Sequence, residues 1–380
     1  MPFSEYIQLN DGNKIPLIAF GVGTSVSRRW GNPEGLPELL KTALQAGYRH
    51  IDTAEANMLP LVEYENENEV AEGIRMSGVP RKDIFITAKD LSIKGVTTEQ
   101  ALRKTLQNLG VEYVDLYLIH NAMFAKNDAD LQRKWAEMEA VKELGLAKSI
   151  GVSNLEQQRI QAILKTAKVP PAINQIELHP YFQRTELVSW LQQQNIALAC
   201  YSPLAPLRSG SFGGRPGPVD DIFQALAKKY NVDESEIGLR WAIDQGHVVI
   251  TTSSKPERIQ GYAKKLPSFK LTTDEISDIA ELGRKKAFAA FWHAFAPSGG
   301  DNFRLLSSRR EDLIQDNWPK HNINAKSADI VDTWGPAELL SASSHEGPFA
   351  MWIGREILCT EDFKGNQYHW NEAFDLNHVS

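Results

Sequence analysis

Cysteine is nearly absent: Cys200 and Cys359 are the full complement in 380 residues. Two cysteines make no disulfide framework, and with no Cys-x-x-Cys pair the sequence offers no metal site. No apolar run approaches the ~18 residues of a membrane span. The opening MPFSEYIQLNDGNK has no apolar core of a secretory leader. A clustered basic block is also missing, and 41 basic against 48 acidic side chains leave a net charge of −7. Nucleic acid and anionic membranes, which both call for a clustered basic face, are thereby disfavoured as partners. These absences lead us to expect a soluble protein of the reducing cytoplasm. No Gly-x-Gly-x-x-Gly turn follows the first apolar strand near Phe20, which argues against an open dinucleotide-binding sheet.

From about Ile15 to Ile250, short apolar runs alternate with amphipathic stretches, the pattern of repeated β-α units around a parallel sheet. Strands are predicted at LIAFG, YRHID, DIFITAK, VDLYLIH, KSIGVSN, AINQIE, IALACYS and HVVITTS. Segments such as LPELLKTALQAG, TTEQALRKTLQNLG, DLQRKWAEMEAVKELG and LVSWLQQQN carry apolar residues at helical spacing between them. Eight alternating units are the number that closes a (β/α)8 barrel. YIQLNDGNKIPLI reads as a hairpin around Asp11 and Gly12 that plugs the barrel bottom. The alternation ends near Pro297, so residues 1–296 are expected to form the α/β TIM barrel and 297–380 a C-terminal extension. That extension holds Trp318, Trp334, Trp352 and Trp370 and shows no second catalytic constellation.

In such barrels the catalytic groups come from the C-terminal ends of strands. Those positions hold Asp52, Lys89, His120, Ser153 with Asn154, Gln175, Tyr201 with Ser202, and Thr252 with Ser253. Singly, each has a plain structural explanation as a cap, a solvated strand end or a satisfied core polar group. Their recurrence at one end of successive strands points to a site. Asp52 is the one strand-end carboxylate of obvious promise, so a hydrolase built on paired carboxylates ranks last.

The phrases GYRHIDTAE, YENENEVAEGI, IFITAK, VDLYLIH, SIGVSN, NQIELHPY, CYSPLAP and TTSSKPERI resemble the aldo-keto reductases, over roughly residues 5–295. ITTSSKPER with the later KKAFAAFWHAF most resembles the fungal conjugated polyketone reductases, whose members are NADPH-dependent. The resemblance implies a catalytic tetrad of Asp52, Tyr64, Lys89 and His120. Tyr64 would be the acid that protonates the carbonyl oxygen as hydride arrives. An isolated phenol has a pKa of about 10, so the Lys89 ammonium would favour its ionised form. Asp52 would hold Lys89, and His120 would orient the carbonyl. Ser153, Asn154 and Gln175 would bind the nicotinamide carboxamide, with Tyr201 stacked on the ring. Ser202, Leu204 and the run SGSFGGRPG would cover the pyrophosphate. Those glycines would also suit an ordinary flexible connection. Thr252, Ser253, Lys255 and Arg258 would receive the adenosine 2′-phosphate, favouring NADPH over NADH.

Three departures from the family pattern stand out. Seven extra residues, NMLPLVE, separate Ala56 from Tyr64. Either they bulge outward and leave Tyr64 beside Lys89, the arrangement we favour, or they displace it. Thr252 and Gly261-Tyr262 replace a lysine and the Glu-Asn pair of many members. Asn121-Ala122 stands where many have Trp-Pro, so the pocket is expected to be wider or more polar; Trp30, Phe124, Phe291 and Trp292 are its candidate walls. The expected activity is reduction of aldehydes or ketones, including α-dicarbonyl or conjugated polyketone compounds. The competing expectation is a cofactor-binding barrel with weak turnover that serves as a redox-sensing or auxiliary subunit.

Overall fold

The computed structural model describes residues 5–23, 35–54, 66–210 and 213–291, together with the backbone of 350–353 and 356–359. The chain divides into two compact units, 1–300 and 301–380. In the first, β1 (Tyr6–Gln8) and β2 (Lys14–Pro16) form the predicted antiparallel hairpin. Eight parallel strands follow: β3 (Ile18–Gly21), β4 (His50–Asp52), β5 (Phe85–Asp90), β6 (Val114–Ile119), β7 (Ala147–Ser153), β8 (Ile173–Glu177), β9 (Ala197–Tyr201) and β10 (Val248–Thr251). They match the eight expected runs, and β10 pairs with β3 to close the barrel. In the second unit, β11 (Ala350–Ile353) and β12 (Glu356–Cys359) form an antiparallel hairpin.

The outer layer comprises α1 (Leu36–Ala46), α2 (Glu67–Ser77), α3 (Thr98–Leu109), α4 (Asp128–Glu143), α5 (Gln157–Leu164), α6 (Thr185–Gln193), α7 (Asp220–Tyr230), α8 (Glu234–Ile243), α9 (Pro256–Lys265) and α10 (Thr273–Gly283). Their sequences explain their limits. Helix α1 buries Leu36, Leu39, Leu40, Ala43 and Leu44 along one stripe, each leucine contributing about 2 kcal/mol, and stops at Gly47 in the left-handed conformation. Helix α3 starts with a reciprocal Thr97–Gln100 capping box and ends at left-handed Gly110. None of the described helices is long and apolar enough to cross a membrane.

The hairpin lies at the barrel bottom. Asn13 donates to the Lys148 carbonyl and Ser149 Oγ at the start of β7, and Asp11 pairs with Lys142 at 2.9 Å. Inside the barrel, side chains form layers because alternate strand residues point inward. His50 Nε2 meets Thr87 Oγ1 at 2.8 Å in a lower layer. Two residues further along each strand, Asp52 meets Lys89 in the next layer up.

Candidate active site

Strand alternation brings Asp52, Lys89 and Gln175 together. Lys89 Nζ donates to Asp52 Oδ1 at 2.5 Å and to the Thr53 carbonyl at 2.8 Å. Gln175 Nε2 donates to Asp52 Oδ2 at 2.7 Å, so both carboxylate oxygens are engaged. The ion pair is sealed, with side chains 1% and 3% exposed. Asp52 thus fixes the ammonium at the strand end, and Gln175 joins this network as well as lying at the position expected for a carboxamide contact.

His120, directly after β6, is held through its main chain. Its N–H donates to the Asp90 carbonyl at 3.0 Å, and its carbonyl accepts from Asn154 Nδ2 at 3.1 Å. Burial, assisted by the Lys89 charge, pushes the imidazole pKa down to about 3. The ring is therefore neutral at physiological pH. Asn154 sits at φ 60°, a left-handed position that asparagine tolerates, and its N–H donates to the Gln175 carbonyl at 2.9 Å. Ser153 Oγ donates to that same carbonyl at 2.8 Å, and Tyr201 Oη donates to Asn154 Oδ1 at 2.8 Å. Ser153, Asn154, Gln175 and Tyr201 thus form one hydrogen-bonded rim over three adjacent strands.

Past β9, Ser202 adopts φ 54° and Leu204 packs over Gly238 of α8. The glycines of the following run have a different basis from flexibility. A Cβ on Gly214 would lie 2.5 Å from the Tyr181 ring, and one on Gly217 would lie 2.1 Å from its hydroxyl. Close approach to Tyr181 requires glycine at both places. Beyond β10, Ser253 Oγ accepts from the Lys255 N–H at 3.0 Å, shaping the entry into α9. Lys255 and Arg258 are exposed at that helix N-terminus, and Thr252 is half-buried. A guanidinium, an ammonium and a positive helix end suit an exposed phosphate. Tyr262 faces the core instead and is buried.

Tyr64, the insertion 57–63, Trp30 and Trp292 lie outside the described residues. On either side of residues 55–65 the chain is well anchored. Ala54 is buried, Asn66 Nδ2 donates to the Val22 carbonyl at 2.8 Å, and buried Glu67 accepts from Thr105 and Asn108. Phe124 packs on the core with the Lys134 ammonium 5.9 Å from its ring centre, and Phe291 is half-buried.

Two strand-end carboxylates were missed in the sequence. Asp90 points outward from β5, accepting from Thr98 Oγ1 at 2.7 Å beside Lys134. Glu177 points inward from β8 and accepts from main-chain N–H groups of residues 290 and 291. Position after an apolar run was available as the signal for both. A cleft of about 390 Å³ between α1 and α9, lined by Thr42, Gln45, Gln260 and Lys264, lies in the outer helical layer away from these strand ends.

Residues 18–284 match the model of the Aldo/keto reductase family. An NADPH-dependent alpha-keto amide reductase of Saccharomyces cerevisiae is 37% identical over 295 residues, covering 73% of this chain and 91% of that protein. An NAD/NADP-dependent indole-3-acetaldehyde reductase of Schizosaccharomyces pombe is 36% identical, covering 72% and 92%. The crystal structure of a Bombyx mori aldo-keto reductase in complex with NADP superposes with a TM-score of 0.68 at 33% identity, covering 78% of this chain and 98% of that one. With the closed barrel and the ordered strand-end groups, these matches establish that the chain belongs to the aldo/keto reductase family.

Proposed function

We propose that the chain reduces aldehydes or ketones to alcohols with NADPH, using Tyr64, Lys89, Asp52 and His120. The observation that carries this reading is the sealed Lys89–Asp52 pair beside a neutral His120 at the C-terminal barrel end. NADPH supplies the hydride when bound. Tyr64 donates its phenolic proton to the carbonyl oxygen and regains one from solvent. Lys89, fixed by Asp52, favours the ionised phenol that proton donation leaves behind. His120 offers a hydrogen bond to the same oxygen and sets the angle of approach. Anchored chain on both sides of residues 55–65 supports Tyr64 in place despite the insertion.

Ser153, Asn154 and Gln175 hold the carboxamide, Tyr201 stacks on the nicotinamide, and Ser202, Leu204 and residues 209–217 cover the pyrophosphate. Thr252, Ser253, Lys255 and Arg258 take the 2′-phosphate. Their exposed positive charge at a helix start fits a phosphate dianion, and Arg258 is its strongest partner. The named activity of the yeast relative, on a ketone beside an amide carbonyl, supports activated α-dicarbonyl-like substrates and the polyketone subgroup. Residues 1–296 form the catalytic part, 297–380 an appendage, and the compartment is the cytoplasm.

Purified protein with NADPH and a panel of aldehydes, α-diketones and cyclic diketones tests this reading. Carbonyl-dependent loss of nicotinamide absorbance is expected. Tyr64→Phe should lower turnover about 100-fold or more while sparing NADPH binding. Retained turnover would name a different acid. Wild-type binding without turnover would favour the redox-sensing or auxiliary subunit.

A further inference from the structure

Glu177 occupies the inward face of β8, two residues beyond Gln175 and so about 6–7 Å nearer the barrel mouth. It is wholly buried. Its Oε1 accepts from His179 Nε2 at 3.1 Å and from the Ala290 N–H at 2.5 Å, and its Oε2 accepts from the Phe291 N–H at 2.8 Å. Burial raises the carboxyl pKa, but these donors, led by His179, more than offset it and leave the group below its ordinary value. Among the described residues His179 Nδ1 meets no hydrogen-bond partner, so the ring's described polar contact is the one to Glu177. A buried carboxylate is costly where apolar packing alone would attach a loop. Gripping main-chain N–H groups holds the backbone at 290 and 291 and places no demand on the side chains there.

The other end of this segment is held by a cation. Lys286 Nζ donates to the Pro216 carbonyl at 2.9 Å and to that of Gly214, with the Tyr181 ring centre 5.3 Å away. The Phe288 N–H donates to the Tyr181 carbonyl at 3.3 Å. Tyr181 presses on Gly214 and Gly217, and its ring meets His179 edge-on at 6.5 Å. Six residues, 286–291, therefore join the loop at 213–217 to a carboxylate inside the barrel rim.

We infer that residues 286–291 are a clasp that fixes the carbonyl pocket and the cofactor-covering loop as one unit, with Glu177 and Lys286 as its positioning residues. This rests on the proposed placement of NADPH and carbonyl at this end of the barrel. Loosening either anchor frees both ends of the clasp. Glu177 acts on cofactor release without touching the covering loop, and Lys286 acts on carbonyl binding without reaching the rim.

The test uses full-length protein carrying Glu177→Gln, Lys286→Met or both, with 4-nitrobenzaldehyde as probe. Stopped-flow fluorescence gives NADPH release, and steady-state rates give KM and kcat separately. Each single variant should raise KM about tenfold and speed NADPH release severalfold, leaving saturated reduction within about threefold of wild type; the double variant should fall short of the product of the singles. Effects confined to each variant's own end and multiplying in the double would overturn the clasp. Should Glu177→Gln fail to fold, Lys286→Met decides alone: a raised KM supports the clasp and an unchanged KM overturns it. Wild-type protein that binds no NADPH would sink the site reading itself, an outcome separate from independent anchors in an active enzyme.

Discussion

The two ends of the barrel both carry ion pairs, but they use them differently. At the bottom, Asp115 accepts from Arg81 at 2.7 Å and Lys148 at 3.3 Å, and both cations lie about 4 Å from the Tyr113 ring centre. These pairs are wet at their cations, with Arg81 20% and Lys148 46% exposed against 10% for Asp115. Wet pairs contribute about 0–1 kcal/mol and cost little to form. At the top, Lys89 and Asp52 are sealed, and a sealed pair is often no more stable than apolar side chains of equal volume. The layer beneath is held by a neutral contact, His50 to Thr87. Stability therefore accounts for the bottom pairs and leaves the top pair to be explained by chemistry.

Lys89→Met should separate the two most sharply. It leaves Asp52 buried with Gln175 as its remaining described donor, so unfolding free energy should drop by about 3–5 kcal/mol. Turnover should fall by about 1,000-fold. Adding Asp52→Asn should recover much of the stability and none of the turnover. Denaturant titration alongside the NADPH assay reads both quantities, and recovered turnover in the double variant would reduce the pair to a structural role.

Arg258→Ala asks whether burial or ligand is the better guide. Arg258 is exposed, as Lys148 is at the bottom face, so a rule based on burial makes it silent. A role at the 2′-phosphate instead predicts about 10- to 100-fold weaker NADPH binding with NADH unchanged, from loss of a charge-assisted contact. Fluorescence titration with each nucleotide discriminates. Equal losses for both would move the phosphate elsewhere.

Much of this contrast was legible in the sequence. Short apolar runs and helical stripes located all eight barrel strands because both faces of each strand are covered, which leaves near-continuous apolar segments. Asp52, Lys89 and Gln175 were found by position, since inward alternation at a strand end leaves a side chain little else to face. The partner of Gln175 was not readable, because a contact between residues 123 positions apart is set by barrel closure. The grip of Glu177 on residues 290 and 291 was unreadable for the same reason, whereas Asp90 meets Thr98 only eight residues on, and its position after an apolar run was signal enough. For the glycines near Gly214 a covering loop and a flexible connection both stayed open, because composition cannot distinguish an open loop from one pressed on a tyrosine ring.

Buried histidines occur at both ends and sharpen the comparison by showing what burial alone does. Burial pushes His50 and His247 down to about 4 and His120 to about 3. Unfolded histidine titrates near 6.5. Their contribution to stability is therefore complete above about pH 6.5 and is lost as pH falls through the folded values, because the unfolded chain binds more protons in between. The melting temperature should decline from pH 7 to 5, and His120→Gln should flatten that decline. The rate profile should show no His120 break between pH 5 and 8. A break there would mean that the ring takes up a proton during turnover.

The smallest effect is expected at the bottom. Lys142→Ala removes the 2.9 Å pair with Asp11 and a donor to the Lys148 carbonyl, loosening the hairpin against the start of β7. Lys142 is 23% exposed, so water replaces much of what is lost, and stability should fall by no more than about 1 kcal/mol. The hairpin closes the end of the barrel opposite Lys89 and His120, so kcat/KM should stay within about twofold of wild type. Thermal melting and steady-state rates measured on one preparation give both numbers. A large rate loss at nearly unchanged stability would mean that the hairpin tunes the upper layer through the His50–Thr87 contact beneath it, and that the two ends act as one.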